Sequence, residues 1–231
     1  MPLFVWPDPA PGGYPLERTD YAFQVLPGLR WLGVGLMRLR LRATDAAAIR
    51  DVARRPDGAL VRVRGRVRAA APLASLLEGG AAVYRQTHFT LLFELAGVSG
   101  FPLVHEAAVD FELHDDAGSA VQVLAAGAHV ARRTPAQRPV TQAVAERILA
   151  VPLPRAVEQF RGAPIATPLS AAELLVRDGD EVEVFGVKDR VVDPRRPALA
   201  RDTPFAAALR SARGRPLLVL PSGFHSAVRS A

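Results

Sequence analysis

The stretch Val104–Ala125, VHEAAVDFELHDDAGSAVQVLA, decides how the rest of the chain is read. Val109, Phe111 and Leu113 alternate with Asp110, Glu112 and His114, and after Asp115-Asp116-Ala117-Gly118 the alternation resumes at Val121 and Val123. Successive residues of a strand face opposite sides of a sheet. A period of two broken by a glycine-containing turn therefore predicts a β-hairpin with one buried face.

The same period recurs outward from the hairpin. Upstream, Gly58–Ala70 puts Val61, Val63 and Val67 on one face and Arg62, Arg64, Arg66 and Arg68 on the other. Ala82–Leu95 carries Val83, Phe89, Leu91 and Phe93 in one register, and Gly97–Pro102 turns the chain into the hairpin. Downstream, Gly179–Val192 and Pro216–Leu220 read as strands. One spacing occurs twice, as Gly58-x-x-Val61-x-Val63-x-Gly65 and as Gly179-x-x-Val182-x-Val184-x-Gly186. Glycine before a strand permits a tight turn, and glycine within one permits the sharp coil that a small barrel needs. Two equivalent strands are expected from it. The fold class that follows is mainly β with minor α: a curled, predominantly antiparallel sheet of about five to seven strands, or a partly open OB-like barrel, with short helices over its open end. The core is expected to hold Val61, Val63, Val67, Phe89, Leu91, Phe111, Leu113, Val121, Val123, Val182 and Val184.

Other segments are read from helix signals. Thr44 or Asp45 opens a short helix that runs through Arg55 and turns Ile49 and Val52 inward. Pro72–Gly80 reads as a helical turn with a Ser75/Glu78 capping box, and Ser170 with Glu173 as a second box. Thr141–Ala150 has helical spacing, continued over Ala156–Arg161, and Thr203-Pro204 opens a last helix ended by Gly214. In Tyr21–Arg42 the alternation of Met37, Leu39 and Leu41 with Arg38, Arg40 and Arg42 predicts a strand at its end. Residues 1–43 form an N-terminal arm and lead-in, rich in Pro and Gly over Met1–Asp20, and residues 44–231 one β domain.

At 231 residues and 49% hydrophobic content the chain can bury a sizeable core, and 23% charged residues is ordinary for a globular domain. The net charge of +6 points toward polyanions, but 28 of the 29 basic residues are Arg and only Lys188 is Lys. That bias also follows from GC-rich coding, so charge informs on partners rather than on fold. Without cysteine there are no disulfides, thiolate nucleophiles or cysteine zinc sites. Pro2, Pro7, Pro9 and Pro11 interrupt any signal-peptide core. Leu26–Leu41 contains Arg30, Arg38 and Arg40 and falls short of the roughly 20 residues a span requires. A cytoplasmic location is expected.

His88, His105, His114, His129 and His225 show no metal-binding spacing, and neither a nucleophile elbow nor a phosphate loop occurs. His114 beside Asp115 and Asp116 reads either as an acid/base or metal group or as a solvated hairpin end. Asp110 and Glu112, two apart on a strand and so about 6–7 Å apart, fit a glycosidase pair in distance only; a solvated sheet face that partners nearby arginines is the favoured reading. No catalytic residue, metal or cofactor is expected.

In their order along the chain the motifs resemble the BAM or GIDE-type domain, the membrane-adjacent domain of mitochondrial E3 ubiquitin ligases and related bacterial proteins. The resemblance runs from about Thr44 to Val219. It rests on the two glycine–valine spacings, Pro72-Leu73, Val83-Tyr84-Arg85, Phe111-x-Leu113-x-Asp115-x-x-Gly118-x-x-Val121-x-Val123, Glu173-Leu174-Leu175, Gly179-Asp180 and Gly214–Leu217. It implies a role in binding or regulating partners. The ligases of that family carry a Cys-rich RING, which these residues lack, so ligase activity does not carry over. Two functional readings follow. In one, the chain is a non-enzymatic module that binds a protein partner or a membrane-proximal assembly, with peripheral association to a membrane protein. In the other, an OB-like barrel binds single-stranded nucleic acid through Arg62, Arg64, Arg66 and Arg68; Tyr84, at a position within the family resemblance, is a binding candidate that reads first as a core or edge aromatic. The second needs aromatic platforms among the basic residues, and none interrupts Arg62–Arg68. Glu181, Glu183, Asp110 and Glu112 are expected beside the arginine stripe, neutralising much of it. The sequence fixes no oligomeric state.

Overall fold

The computed structural model describes residues 16–21, 35–37, 39–93, 99–130, 136–158, 167–192, 205–212 and 215–221. The hairpin forms as its pattern requires. Phe111–His114 (β7) and Ala120–Val123 (β8) pair antiparallel, with Phe111 opposite Val123 and Leu113 opposite Val121. Leu60–Arg68 (β3) pairs with β7 along one edge and with Glu181–Val192 (β12) along the other. Phe205–Arg210 (β13) lies antiparallel to β12 and parallel to β8. The cycle β3–β7–β8–β13–β12–β3 is closed, which makes a five-stranded mixed barrel of OB-like topology.

The pair that closes the barrel is the repeated glycine–valine spacing. Val63 lies opposite Val184, Gly65 opposite Val182 and Val61 opposite Gly186. The two copies are thus neighbours, antiparallel about the Val63/Val184 pair. The leading glycines, Gly58 and Gly179, sit in turns at φ +83 and +87, where a side chain would be strained. The trailing glycines give the coiled strands room. A Cβ at Gly65 would lie 2.8 Å from the His114 carbonyl oxygen, and one at Gly186 would lie 2.3 Å from Leu217 Cδ1. The inward valines of both strands join Val67, Phe111, Leu113, Val121 and Val123 in the barrel core, and all are buried. Burial of each such side chain contributes about 1.5–3 kcal/mol. Three short strands border the barrel: Ala46–Ala47 (β2) beside β3, Leu218–Pro221 (β14) beside β12, and His129–Val130 (β9) beside β14.

A second sheet is built from the long connections of the barrel. Ala81–Phe93 (β5) and Ser99–Ala108 (β6) fall between β3 and β7, and Thr167–Arg177 (β11) falls between β8 and β12. They pair antiparallel in the order β6-β5-β11, extended by Leu16–Tyr21 (β1) and Arg138–Pro139 (β10), while Leu73–Ala74 (β4) pairs with β5. Phe89, Leu91, Leu103 and Ala171 pack with Ile148 of the helix Gln142–Leu149, Val157 of the helix Arg155–Glu158, and Val151 between them. The Thr141 side chain caps the first of these helices by accepting from the Val144 amide. At its other end the sheet contributes Val83, Tyr84, Ala108, Leu174 and Val176 to the barrel core.

Several local expectations are corrected. The mainly β class with short helices stands, and within it the barrel is closed; the helix Ile49–Val52 packs into the barrel core, while the helices Gln142–Leu149 and Arg155–Glu158 lie on the second sheet. Ser170 and Glu173 lie in strand β11, not at a helix start. Residues 205–210 are strand, not helix; their alanines favour helix intrinsically, but pairing with both β12 and β8 overrides propensity. Thr203, Pro204 and Gly214 lie outside the described residues. Residues 39–42 are helical, not strand: Met37 and Leu41, four apart, are buried while Leu39 is exposed. A run of alternate apolar residues this short fits both periods. The helix after Thr44 shrinks to Ile49–Val52 with Ala48 at its N-cap, although Ile49 and Val52 are buried as expected. Residues 76–78 form a turn in which the Glu78 amide donates to Ser75 Oγ, one half of the expected box. Strand β6 starts at Ser99, within the stretch expected to turn. Among the described residues no helix is long and apolar enough to cross a membrane.

Candidate functional site

The arginine stripe lies on the outer face of β3, since the valines between them point into the barrel. Across the seam, β12 presents Glu181 and Glu183 on its outer face. Directly opposite residues are Arg64 with Glu183 and Arg66 with Glu181, yet the ion pairs run diagonally. Arg62 Nε donates to Glu183 Oε1, and Arg64 Nε to Glu181 Oε1 at 2.8 Å. Each guanidinium thus reaches the carboxylate two residues nearer the start of β12 than the residue opposite it. By the same offset Arg66 would reach position 179, which is a glycine. Arg68 Nη1 meets Asp178 Oδ2 at 3.7 Å, and the same carboxylate accepts from the Ala69 amide. Among the described residues Arg66 is the member of the stripe without a carboxylate partner.

Burial separates the rungs. The Arg62–Glu183 pair is mostly shielded, and Arg62 Nη1 also donates to the carbonyls of Leu41 at 3.4 Å and Thr44 at 3.3 Å. It therefore ties residues 41–44 to the barrel wall. The Arg64–Glu181 pair is open to solvent, and Glu181 holds the Arg64 guanidinium above its ordinary pKa. Of the other two expected carboxylates, Glu112 lies opposite Arg68 across β3–β7, beside the stripe as expected, whereas Asp110 does not. Asp110 Oδ1 accepts from the Ala125 amide at 2.8 Å, with burial pushing its carboxyl pKa up. Glu112 meets His114 Nε2 at 2.9 Å, a contact within its own strand.

Tyr84 is not on the stripe. It is buried between barrel and second sheet, where its hydroxyl donates to Glu106 Oε1 at 2.7 Å. The structure therefore brings Arg62, Arg64, Arg66 and Arg68 together and leaves Tyr84 apart. On the opposite face of the second sheet is a buried polar group that sequence reasoning missed. Arg85 donates to the Ala74 carbonyl, and its Nη2 lies 3.0 Å from His105 Nε2. Guanidinium can only donate, so Nε2 is the acceptor and the ring carries its proton on Nδ1. Burial, aided by Arg85, lowers the His105 pKa to about 4. Beside it Glu173 accepts from Thr87 Oγ1 at 3.0 Å, from the Leu76 amide at 2.9 Å and from Ser75 Oγ. This carboxylate stitches the 75–78 turn to β5 and β11. The signal for the cluster was present: Arg85 and Thr87 share the inward register of Phe89 and Leu91. Lys188 was also legible. It is the one lysine of the chain and is buried with its ammonium on Asp57.

OB-type barrels bind oligonucleotides on their second and third strands and on the loops between the first and second and between the fourth and fifth, the latter here residues 193–204, outside the described residues. Here those strands are β7 and β8, whose outward residues are Glu112, His114, Ala120 and Gln122, without an aromatic among them. The first of these loops, residues 69–110, is folded into β4, β5 and β6. Among the described residues no cluster of three or more His, Cys, Asp or Glu could hold a metal ion. Compared with known proteins, the chain matches no family model, no curated protein and no solved structure.

Proposed function

We propose that the chain is a non-enzymatic interaction module of the BAM/GIDE type, acting in the cytoplasm by binding a protein partner or a membrane-proximal assembly. The observation that carries this reading is the diagonal ladder on the β3–β12 seam. Three of the four stripe arginines meet carboxylates of the same chain, so little of the stripe's charge is left to take up phosphates. Support also comes from the first barrel loop, which folds into a sheet of its own, and from the burial of Tyr84. The competing reading, a single-stranded nucleic-acid binder, keeps Arg66 as its one uncompensated group. The test is to immobilise the purified chain and measure its binding, by interferometry, to the purified products of the genes adjacent to its own. The reading predicts at least one saturable partner in the micromolar range or tighter, retained at elevated salt. Binding of single-stranded DNA in that range, with no protein partner, would overturn it.

A further inference from the structure

Three large apolar side chains are exposed among the described residues, and two of them, Leu36 and Leu39, are 56% and 64% exposed at helical positions, Leu36 within 35–37 and Leu39 within 39–42. Three apart, they share a face. The opposite side of the segment is anchored: Met37 and Leu41 are buried against Phe185, Leu218 and Leu220 on the outside of the barrel. Its C-terminal end is fixed as well. Arg62 binds the Leu41 and Thr44 carbonyls, and Thr44 Oγ1 donates to the Arg40 carbonyl at 2.8 Å. The barrel therefore presents the leucines outward in a set orientation. Arg40, four residues after Leu36, and Arg42, three after Leu39, are both exposed at the margins of that face. From Ala22 to Thr44 the sequence has four arginines and neither Asp nor Glu.

We propose that this face docks the protein on an anionic lipid surface. Leucines enter the boundary between headgroups and acyl chains while flanking guanidiniums stay at the phosphates, the arrangement of an interfacial helix. The net charge of +6 draws the whole chain toward anionic headgroups. The absence of acid over this stretch selects such a surface over a mixed-charge protein groove. This inference is independent of the partner reading; either can fail alone.

The chain has no cysteine, so Leu39→Cys supplies a single thiol for an environment-sensitive dye, and Ala143→Cys, exposed on the helix Gln142–Leu149, supplies the control. With vesicles of phosphatidylcholine and phosphatidylglycerol, the dye at position 39 should shift to the blue and the dye at 143 should not. Vesicles of phosphatidylcholine alone should shift neither. In co-sedimentation, Leu36→Glu with Leu39→Glu and, separately, Arg40→Glu with Arg42→Glu should each lower the vesicle-bound fraction about tenfold or more. No shift at position 39, equal shifts at both positions, or co-sedimentation that survives the leucine replacements would overturn the proposal. The last of these would mean adsorption of a basic chain without insertion, and no shift would leave the face to a protein partner.

Discussion

An added methyl at Gly65 would lie 2.8 Å from the His114 carbonyl oxygen and 3.2 Å from Leu113 Cβ, both on the neighbouring barrel strand. Backbone cannot swing aside as a side-chain tip can, so β3 and β7 would have to separate. Gly65→Ala is expected to cost about 1–3 kcal/mol in denaturant unfolding, the usual cost of overpacking. Gly80→Ala, with open space around it, should stay within about 0.5 kcal/mol. His105 gives a second expectation, in pH. Its folded pKa of about 4 lies below the unfolded value, so the unfolded chain takes up the proton first as pH falls. Stability contributed by the neutral ring is complete above about pH 6.5 and declines toward pH 4, by roughly 2 kcal/mol at pH 5. Comparing wild type with His105→Gln, which keeps an acceptor for Arg85, should show the variant losing less stability between pH 7 and pH 5. Equal acid sensitivity in the two would refute the assignment.

At the scale of elements, the β3–β12 seam combines register, charge and closure. Double-mutant cycles should separate its rungs. The shielded Arg62–Glu183 pair is expected to couple by at least about 1 kcal/mol, because removing one partner leaves the other charge poorly hydrated. The solvent-exposed Arg64–Glu181 pair should show no resolvable coupling. Strong coupling of the exposed pair with none in the shielded one would reverse this picture. What was legible here was whatever two-residue periodicity encodes: the hairpin, the inward valines, the equivalence of the two glycine-marked strands and the nearness of Glu181 and Glu183 to the stripe. Pairing partners are not encoded in that way. Nothing local in Phe205–Arg210 announces that β12 and β8 wait on either side, and nothing near Glu173 announces Ser75. The diagonal offset that strands Arg66 depends on register, which only the assembled barrel sets.

Over the whole molecule, a barrel of OB-like topology carries a second sheet grown from its own connections, and that sheet shares the barrel core through Tyr84, Leu174 and Val176. A topology that elsewhere offers loops to nucleic acid here spends its first loop on structure. We propose that the arginine stripe is a zipped seam and not a phosphate cradle. Fluorescence anisotropy of labelled single-stranded DNA, titrated across salt concentrations, tests it most directly. Four free phosphate contacts would make log K fall with log salt at a slope of about −3, taking about −0.7 for each. No measurable binding is expected at about 0.15 M salt, where counterion release drives association less than at low salt. Weak low-salt binding is expected to be the same in wild type and in the Arg64→Ala, Arg66→Ala double variant. Micromolar binding with a slope near −3, abolished in that variant, would contradict the zipped seam.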